Sequence, residues 1–421
     1  MDTISDLPDT LLLKILSSLP AKDVVATMVL SKRWQTLWML VHKLEYDDSY
    51  QNPKYERFSQ FVDRSLFLHE APVIETLHFK LGKICGSGDI RVWIRAADKC
   101  LVHELIIDTS SSKIPVTLPR SLYSGGCTRV VTLKLSNAVL VDASSPISFP
   151  SLKNLSLISM TYPGGDEFVK RLLSSCPVLE DLVVKKYPDD NVDILNVRVP
   201  SLKSLFLYKL AHRLNKNKSH GFVIDAPSLE CLDIVDYSRG FRIVENEFSK
   251  IVKANINILS PHTEQILGSI TLAKRLILCL PRSEDAYPVD RVFYSLVHLK
   301  MCTCEIHWFN RLKLVLRDSP NLRALQLEQV HGFRDGEQRL CWSEPNSVPE
   351  CLLTSLETVE WVKYNGTEEE KEVAAFILRS GSCLKKVSIS SKSADRDKKH
   401  EMLKELALSY RRSPTCQLVF N

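Results

Sequence analysis

Apolar residues near the start of the chain fall at helical spacing. Leu12, Ile15, Leu16 and Leu19 stand at i, i+3, i+4 and i+7, the stripe of an amphipathic helix. Asp6 is a candidate N-cap, and Pro8 suits a first turn, where its missing N–H does no harm. Pro20 stops the helix. A second helix runs through Val24, Val25, Met28 and Val29. Ser31 can cap a third, carrying Trp34, Leu37, Trp38 and Val41. A unit of about 40 residues with three small helices cannot bury this much apolar surface alone. Either the rest of the chain or a second protein must cover it.

Beyond residue 70 the period changes. The phrase Leu-x-x-Leu-x-Leu recurs, usually just behind a Pro and a small residue, as in Pro150-Ser-Leu152-Lys-Asn-Leu155-Ser-Leu157 and Pro200-Ser-Leu202-Lys-Ser-Leu205-Phe-Leu207. First positions fall at 74, 102, 130, 152, 179, 202, 229, 251, 273, 296, 322, 356 and 384, in steps of 22 to 34 residues. Most steps match the ~20–29 residues of a leucine-rich repeat. Each such repeat supplies one short strand and a return segment, and its apolar side is buried by its neighbours. The pattern predicts an α/β chain: three N-terminal helices, then a solenoid with a curved parallel sheet inside and helices or loops outside. A return helix is predicted around Phe168–Ser175, and loops at Leu210–Phe222 and Gly332–Pro349.

In each phrase the leucines point into the core, and the alternating residues face the concave side of the sheet. Val183, Phe206, Tyr208 and Val235 occupy such places on three successive strands. They form a candidate apolar patch, which either marks an interaction site or is covered by a loop or terminal segment of the chain.

Composition narrows the chemistry. The chain has 421 residues, a formal net charge of +5 and 25% charged residues, which gives no nucleic-acid footprint. Gly is scarce at 14 residues, and no phosphate loop, Gly-x-Ser-x-Gly elbow or His-Glu-x-x-His zinc helix occurs. The basic stretches His212–Lys218 and Lys392–His400 lack interleaved aromatic residues and read as solvated loops. No apolar run approaches the ~20 residues that span a bilayer, and the acidic start is unlike a secretory signal. An intracellular chain with reduced thiols is expected, nuclear or cytoplasmic. Among the 12 Cys, Cys302 and Cys304 lie near His298 and His307. The Cys-x-Cys spacing is not that of a zinc ribbon. Cys304 reads as a repeat core position and the remaining cysteines as small buried hydrophobes. No catalytic residue, metal or cofactor is assigned.

The run Ile4-Ser-Asp-Leu7-Pro8, continued by Ile15-Leu16 and Leu19-Pro20, then by Val29-Leu-Ser-Lys-Arg-Trp34 and Leu37-Trp38, closely resembles the F-box of plant F-box proteins. The tail is similar to the FBD domain of the plant F-box/FBD/LRR-repeat family. Its matching residues are Ser355–Trp361, Tyr364 with Gly366, Cys383-Leu-Lys-Lys386, and Cys416, Leu418 and Phe420. The chain departs from the pattern at Met28, where Ser is frequent. The resemblance divides the chain into an F-box over 1–45, repeats over 46–340 and an FBD region over 341–421 that continues the solenoid. It implies a non-catalytic substrate receptor of an SCF (Skp1–cullin–F-box) ubiquitin ligase. Leu7, Pro8, Leu12, Ile15, Leu16, Leu19, Val29, Leu30 and Trp34 would meet a Skp1-like adaptor, which in turn brings the cullin. The repeats and FBD would hold an unknown protein substrate; neither nucleic acid nor membrane is implied. The alternative is a scaffold that binds Skp1 and a partner without promoting ubiquitination.

Overall fold

The computed structural model describes residues 4, 7–48, 55–82, 87–112, 114–124, 127–141, 146–187, 191–209, 221–237, 240–258, 264–280, 291–305, 308–331, 342–391 and 396–420. The chain divides into two compact units, Met1–Phe206 and Leu207–Asn421.

The first unit opens with helices Asp9–Leu16, Ala21–Ala26 and Trp34–Leu37, the last two each extended by a 3₁₀ turn. Pro8 and Pro20 sit at the N-cap positions with extended backbone and no side-chain cap. The expected Asp6 cap lies outside the described residues. The third helix begins at Trp34 behind Arg33, so Ser31 does not cap it. Leu12, Leu16, Val24, Trp34, Leu37, Trp38 and Val41 form one buried cluster.

Val41 does not continue the third helix. It has extended backbone, and the strand Lys43–Asp47 follows it. Val41, Leu44 and Tyr46, all buried, are a repeat phrase that the helical spacing from Trp38 had masked. Helix Ala21–Ala26 packs on this strand. Below the helices the Met39 carbonyl accepts from the N–H groups of Glu70 and Ala71.

Within each unit successive strands pair in parallel. Each of the thirteen phrases read from the sequence places a strand two residues after its first position, from Thr76–Lys80 to Lys386–Ser391. Local chemistry explains the constancy. Phe149, Cys176, Val199, Ala226 and Ser319 offer their carbonyls to the N–H three residues on, closing turns around Pro150, Pro177, Pro200, Pro227 and Pro320. Pro is favoured at the second place of such a turn because its φ is already set. The next two N–H groups then share one carbonyl of the preceding repeat, as Lys153 and Asn154 do with Val131, at 2.8 and 3.0 Å.

Register stacks like on like. In the first unit Leu77, Leu105, Leu133, Leu155 and Leu182 form one ladder. In the second, Ile234, Ile256, Leu278, Met301, Leu327, Trp361, Ile389 and Phe420 form another. The rungs lie ~4.8 Å apart, so each is buried by the next. The strand Gln417–Phe420, not expected from the sequence, ends this ladder.

The return segments vary. A helix runs from Asp166 to Ser174 as expected, burying Phe168, Val169, Leu172 and Leu173. Elsewhere strands replace helices: Ile194–Arg198 in the first unit, and Gly221–Asp225 paired in parallel with Phe241–Val244 in the second. Gly221 and Phe222 therefore belong to a strand and not to the expected loop. Residues 210–220 and 332–341 of the two expected loops lie outside the described residues. No helix among the described residues is long and apolar enough to cross a membrane.

Candidate functional site

The apolar stripe of the first helix splits in two. Leu12 and Leu16 are buried in the chain's own cluster, whereas Leu11 and Ile15 are each 47% exposed and Leu19 also faces solvent. A spacing of four residues puts Leu11 and Ile15 on one helical face. The 3₁₀ turn after the second helix exposes more: Val29 is 84% and Leu30 64% accessible. Met28 is exposed as well. Pro8 is exposed and Leu7 half-buried. Trp34, like Leu12 and Leu16, lies inside the cluster and holds the surface residues in place from below.

Arg33 fixes the first helix against the third. Its Nε donates to Asp9 Oδ1 at 2.8 Å and its Nη2 to the Leu7 carbonyl at 2.6 Å. The ion pair is largely solvated, so it orients more than it stabilises. No local pattern marks this role, because the two ends lie 24 to 26 residues apart. The helical segment thus has a finished core and still displays large aliphatic side chains, an arrangement that suits a protein partner.

The outward positions of the sheet carry ion pairs in both units. In the first they are Lys134 with Glu104 at 2.8 Å, and Lys80 with Glu45. Thr76 donates to Glu104 at 3.1 Å. The two lysine and threonine hydrogen bonds hold the Glu104 carboxyl below the usual range despite its partial burial. Val183 and Phe206 are half-buried at the far end of this unit, with Lys185 Nζ 5.5 Å above the Phe206 ring. Tyr208 and Val235 belong to the second unit and are also half-buried. The four candidate target-binding residues therefore divide between the units.

Outward positions of the second unit include Asn255, whose amide donates to Asp233 at 3.1 Å. Lys300 pairs with Glu328 at 2.6 Å. They also hold a group of thiols. Cys279, Cys302 and Cys304 bring their sulfurs within 4.8 Å of one another. Hydrogen bonds from the Cys279 and Cys304 thiols draw the Cys302 thiol far down; the bonded Cys279 thiol is driven up in return. Cys304, expected in the core, is only half-buried, and Cys231 is exposed. Cys127, Cys176 and Cys351 do pack as buried hydrophobes, and burial pushes each thiol up to about 12. His307 lies outside the described residues.

Three family models match the chain. The F-box domain model covers residues 4–46, a model of the leucine-rich repeats of FBD-associated F-box protein At5g56370 covers 90–255, and the FBD model covers 344–389. The chain is 63% identical over its full length to a probable FBD-associated F-box protein of Arabidopsis thaliana, At1g32375, all of which is matched. It is 61% identical to the putative FBD-associated F-box protein At5g56390 of the same plant, covering 100% of this chain and 99% of that one. It is 45% identical to the F-box/FBD/LRR-repeat protein At5g56420, over 100% and 99% of the two chains.

Proposed function

Because the chain belongs to the plant family of FBD-associated F-box proteins with leucine-rich repeats, we propose that it is the substrate-recognition subunit of an SCF-type E3 ubiquitin ligase. The observation that carries this reading is the exposure of Ile15, Leu19, Val29 and Leu30 above a complete helical core. A Skp1-like adaptor covers these residues together with Leu7 and Pro8. Leu12, Leu16 and Trp34 support the surface from within and touch the adaptor only at their edges. The cullin is reached through the adaptor.

The repeats and the FBD region hold the target protein through outward positions of the sheet, with Val183 and Phe206 in the first unit and Tyr208 and Val235 in the second. No residue of the chain forms a bond to ubiquitin. Its contribution is proximity: holding target and ligase together turns a bimolecular encounter into an effectively unimolecular one. Such a receptor works inside the cell, in the nucleus or cytoplasm.

The test is co-purification. Wild-type protein expressed in plant cells brings down a Skp1-type adaptor and a cullin, and the double variant Leu7→Asp/Pro8→Ala brings down neither while remaining folded. Unchanged recovery of the adaptor refutes the docking surface. Recovery of adaptor without cullin from the wild type refutes ligase assembly and favours a scaffold.

A further inference from the structure

Two of the three clustered thiols come from adjacent repeats and meet through the sheet register. Cys279 ends the strand Arg275–Cys279 and Cys302 ends the strand His298–Cys302. The parallel register that pairs Leu278 with Met301 continues one step and sets the two cysteines side by side. Cys304 follows two residues later, and its Sγ lies 3.8 Å from the Sγ of Cys279. Cys279 and Cys302 have the parity of the outward residues Ile277 and Lys300, not that of the leucine ladder. They are nevertheless buried.

Their surroundings are polar. Asn257 is the register partner of Cys279, and its Nδ2 donates to the Tyr237 hydroxyl at 3.0 Å. Its Oδ1 is buried with no hydrogen-bond partner among the described residues, as is the Thr303 hydroxyl between the two later cysteines. His331 Nε2 is likewise buried and unpartnered, with its ring 5.9 Å from that of Tyr237. Packing alone does not call for three sulfurs among unsatisfied polar atoms, since buried polar groups normally find partners.

Sulfur geometry narrows the ligand. A zinc ion holds thiolates at ~2.3 Å in tetrahedral array, which places the sulfurs of one ion ~3.8 Å apart. The Cys279–Cys304 separation equals this spacing, and the third sulfur lies within reach of both. Soft thiolate donors select Zn²⁺ over the hard cations Mg²⁺ and Ca²⁺. We propose that Cys279, Cys302 and Cys304 form a binding site for one Zn²⁺ ion per chain. Each thiol releases its proton to solvent as its sulfur lone pair takes the metal, so three protons leave for each ion bound and the thiolate centre carries a net charge of −1. The ion ties two consecutive repeats together across the outward face. This inference does not depend on adaptor binding.

Cobalt(II) is a suitable probe. The full-length chain, reduced and freed of metal with a chelator, is titrated with Co²⁺ alone. One equivalent gives an intense thiolate-to-cobalt charge-transfer band in the near ultraviolet, and stoichiometric Zn²⁺ displaces it. Cys279→Ser, Cys302→Ser and Cys304→Ser each lower cobalt affinity by more than about tenfold, since even loss of an outer-sphere partner does so. Cys231→Ser, exposed on another strand, leaves the affinity unchanged. Circular dichroism of the metal-free variants shows whether each is folded, and Cys→Ala or Cys→Val replaces any serine variant that is not. Absence of the charge-transfer band overturns the proposal, as does its survival in the triple variant. A Cys279–Cys304 disulfide in non-reduced peptide maps of protein that takes up no cobalt after reduction also overturns it, making the cluster a redox pair.

Discussion

Val29 and Leu30 give the sharpest test of the proposed adaptor-binding surface, because their stability and binding effects separate. They are 84% and 64% exposed, so their side chains contribute little to the isolated fold. Truncating Val29 to Ala removes two methyl groups and truncating Leu30 removes three carbons. At ~0.8 kcal/mol per buried carbon, scaled by the exposed fractions, the loss is about 1.3 and 1.5 kcal/mol on full burial by a partner. Together these amount to about 3 kcal/mol, or roughly 100-fold in Kd. Thermal stability should shift little, since exposed substitutions usually stay within about 0.5 kcal/mol. Leu12→Ala serves as the opposite control: at a fully buried position it costs about 2–5 kcal/mol of stability. The assay is calorimetric titration of the purified variants with a Skp1-type adaptor, beside denaturant unfolding of each. Wild-type affinity in the double alanine variant would refute the claim that this exposed turn is the docking surface.

Three further outcomes follow from the geometry. Phe206→Asp, at a half-buried outward position beneath Lys185, should remove target proteins from proximity-labelling profiles without lowering the unfolding midpoint; an unchanged profile ends the role of this residue. Asp236→Ala strands the Arg242 guanidinium, which is wholly buried and 2.7 Å from its partner carboxylate, so stability should fall by about 3–5 kcal/mol in denaturant unfolding. His69 is pushed down to about 4 by burial, with His42 beside it, so the folded state resists a proton that the unfolded state accepts near pH 6.5. Its stability contribution is present above pH 6.5 and is lost as pH falls toward 4, by about 1–2 kcal/mol after allowance for partial exposure. A His69→Phe variant should lack this component in unfolding titrations at pH 7 and 4.5.

The repeat phrase was legible because one short motif carries both the core leucines and the turn that begins each strand. Even the degenerate copy Ile251/Ala254/Ile256 places its strand at the same offset. Val41 was misread because it satisfies two periods at once, closing a helical run from Trp34 and opening the phrase with Leu44 and Tyr46. Helical spacing also marks Leu12, Ile15, Leu16 and Leu19 alike as apolar. Only packing separates them: Leu12 and Leu16 join Trp34 and Trp38 in the buried cluster, and Ile15 and Leu19 do not. The thiol group is legible only in part, for a related reason: Cys302 and Cys304 stand together in the sequence, but their third partner does not. Cys279 lies one repeat away from Cys304, 25 residues in sequence, a distance that only the strand register collapses. The outer strands at Ile194–Arg198 and Gly221–Asp225 are short and follow no shared motif, so nothing in the repeat announced them.

The packing of helix Ala21–Ala26 on the strand Lys43–Asp47 gives the N-terminal helices a second job. The first strand of a parallel array presents unpaired backbone groups and a bare row of side chains, a template for stray strands unless something shields it. Here the packing helix belongs to the same segment that exposes Val29 and Leu30. A repeat domain cut free of its first 42 residues should therefore lose solubility along with the proposed adaptor binding. Separating the two roles calls for point substitutions on the exposed turn, with the buried side of the helices left whole.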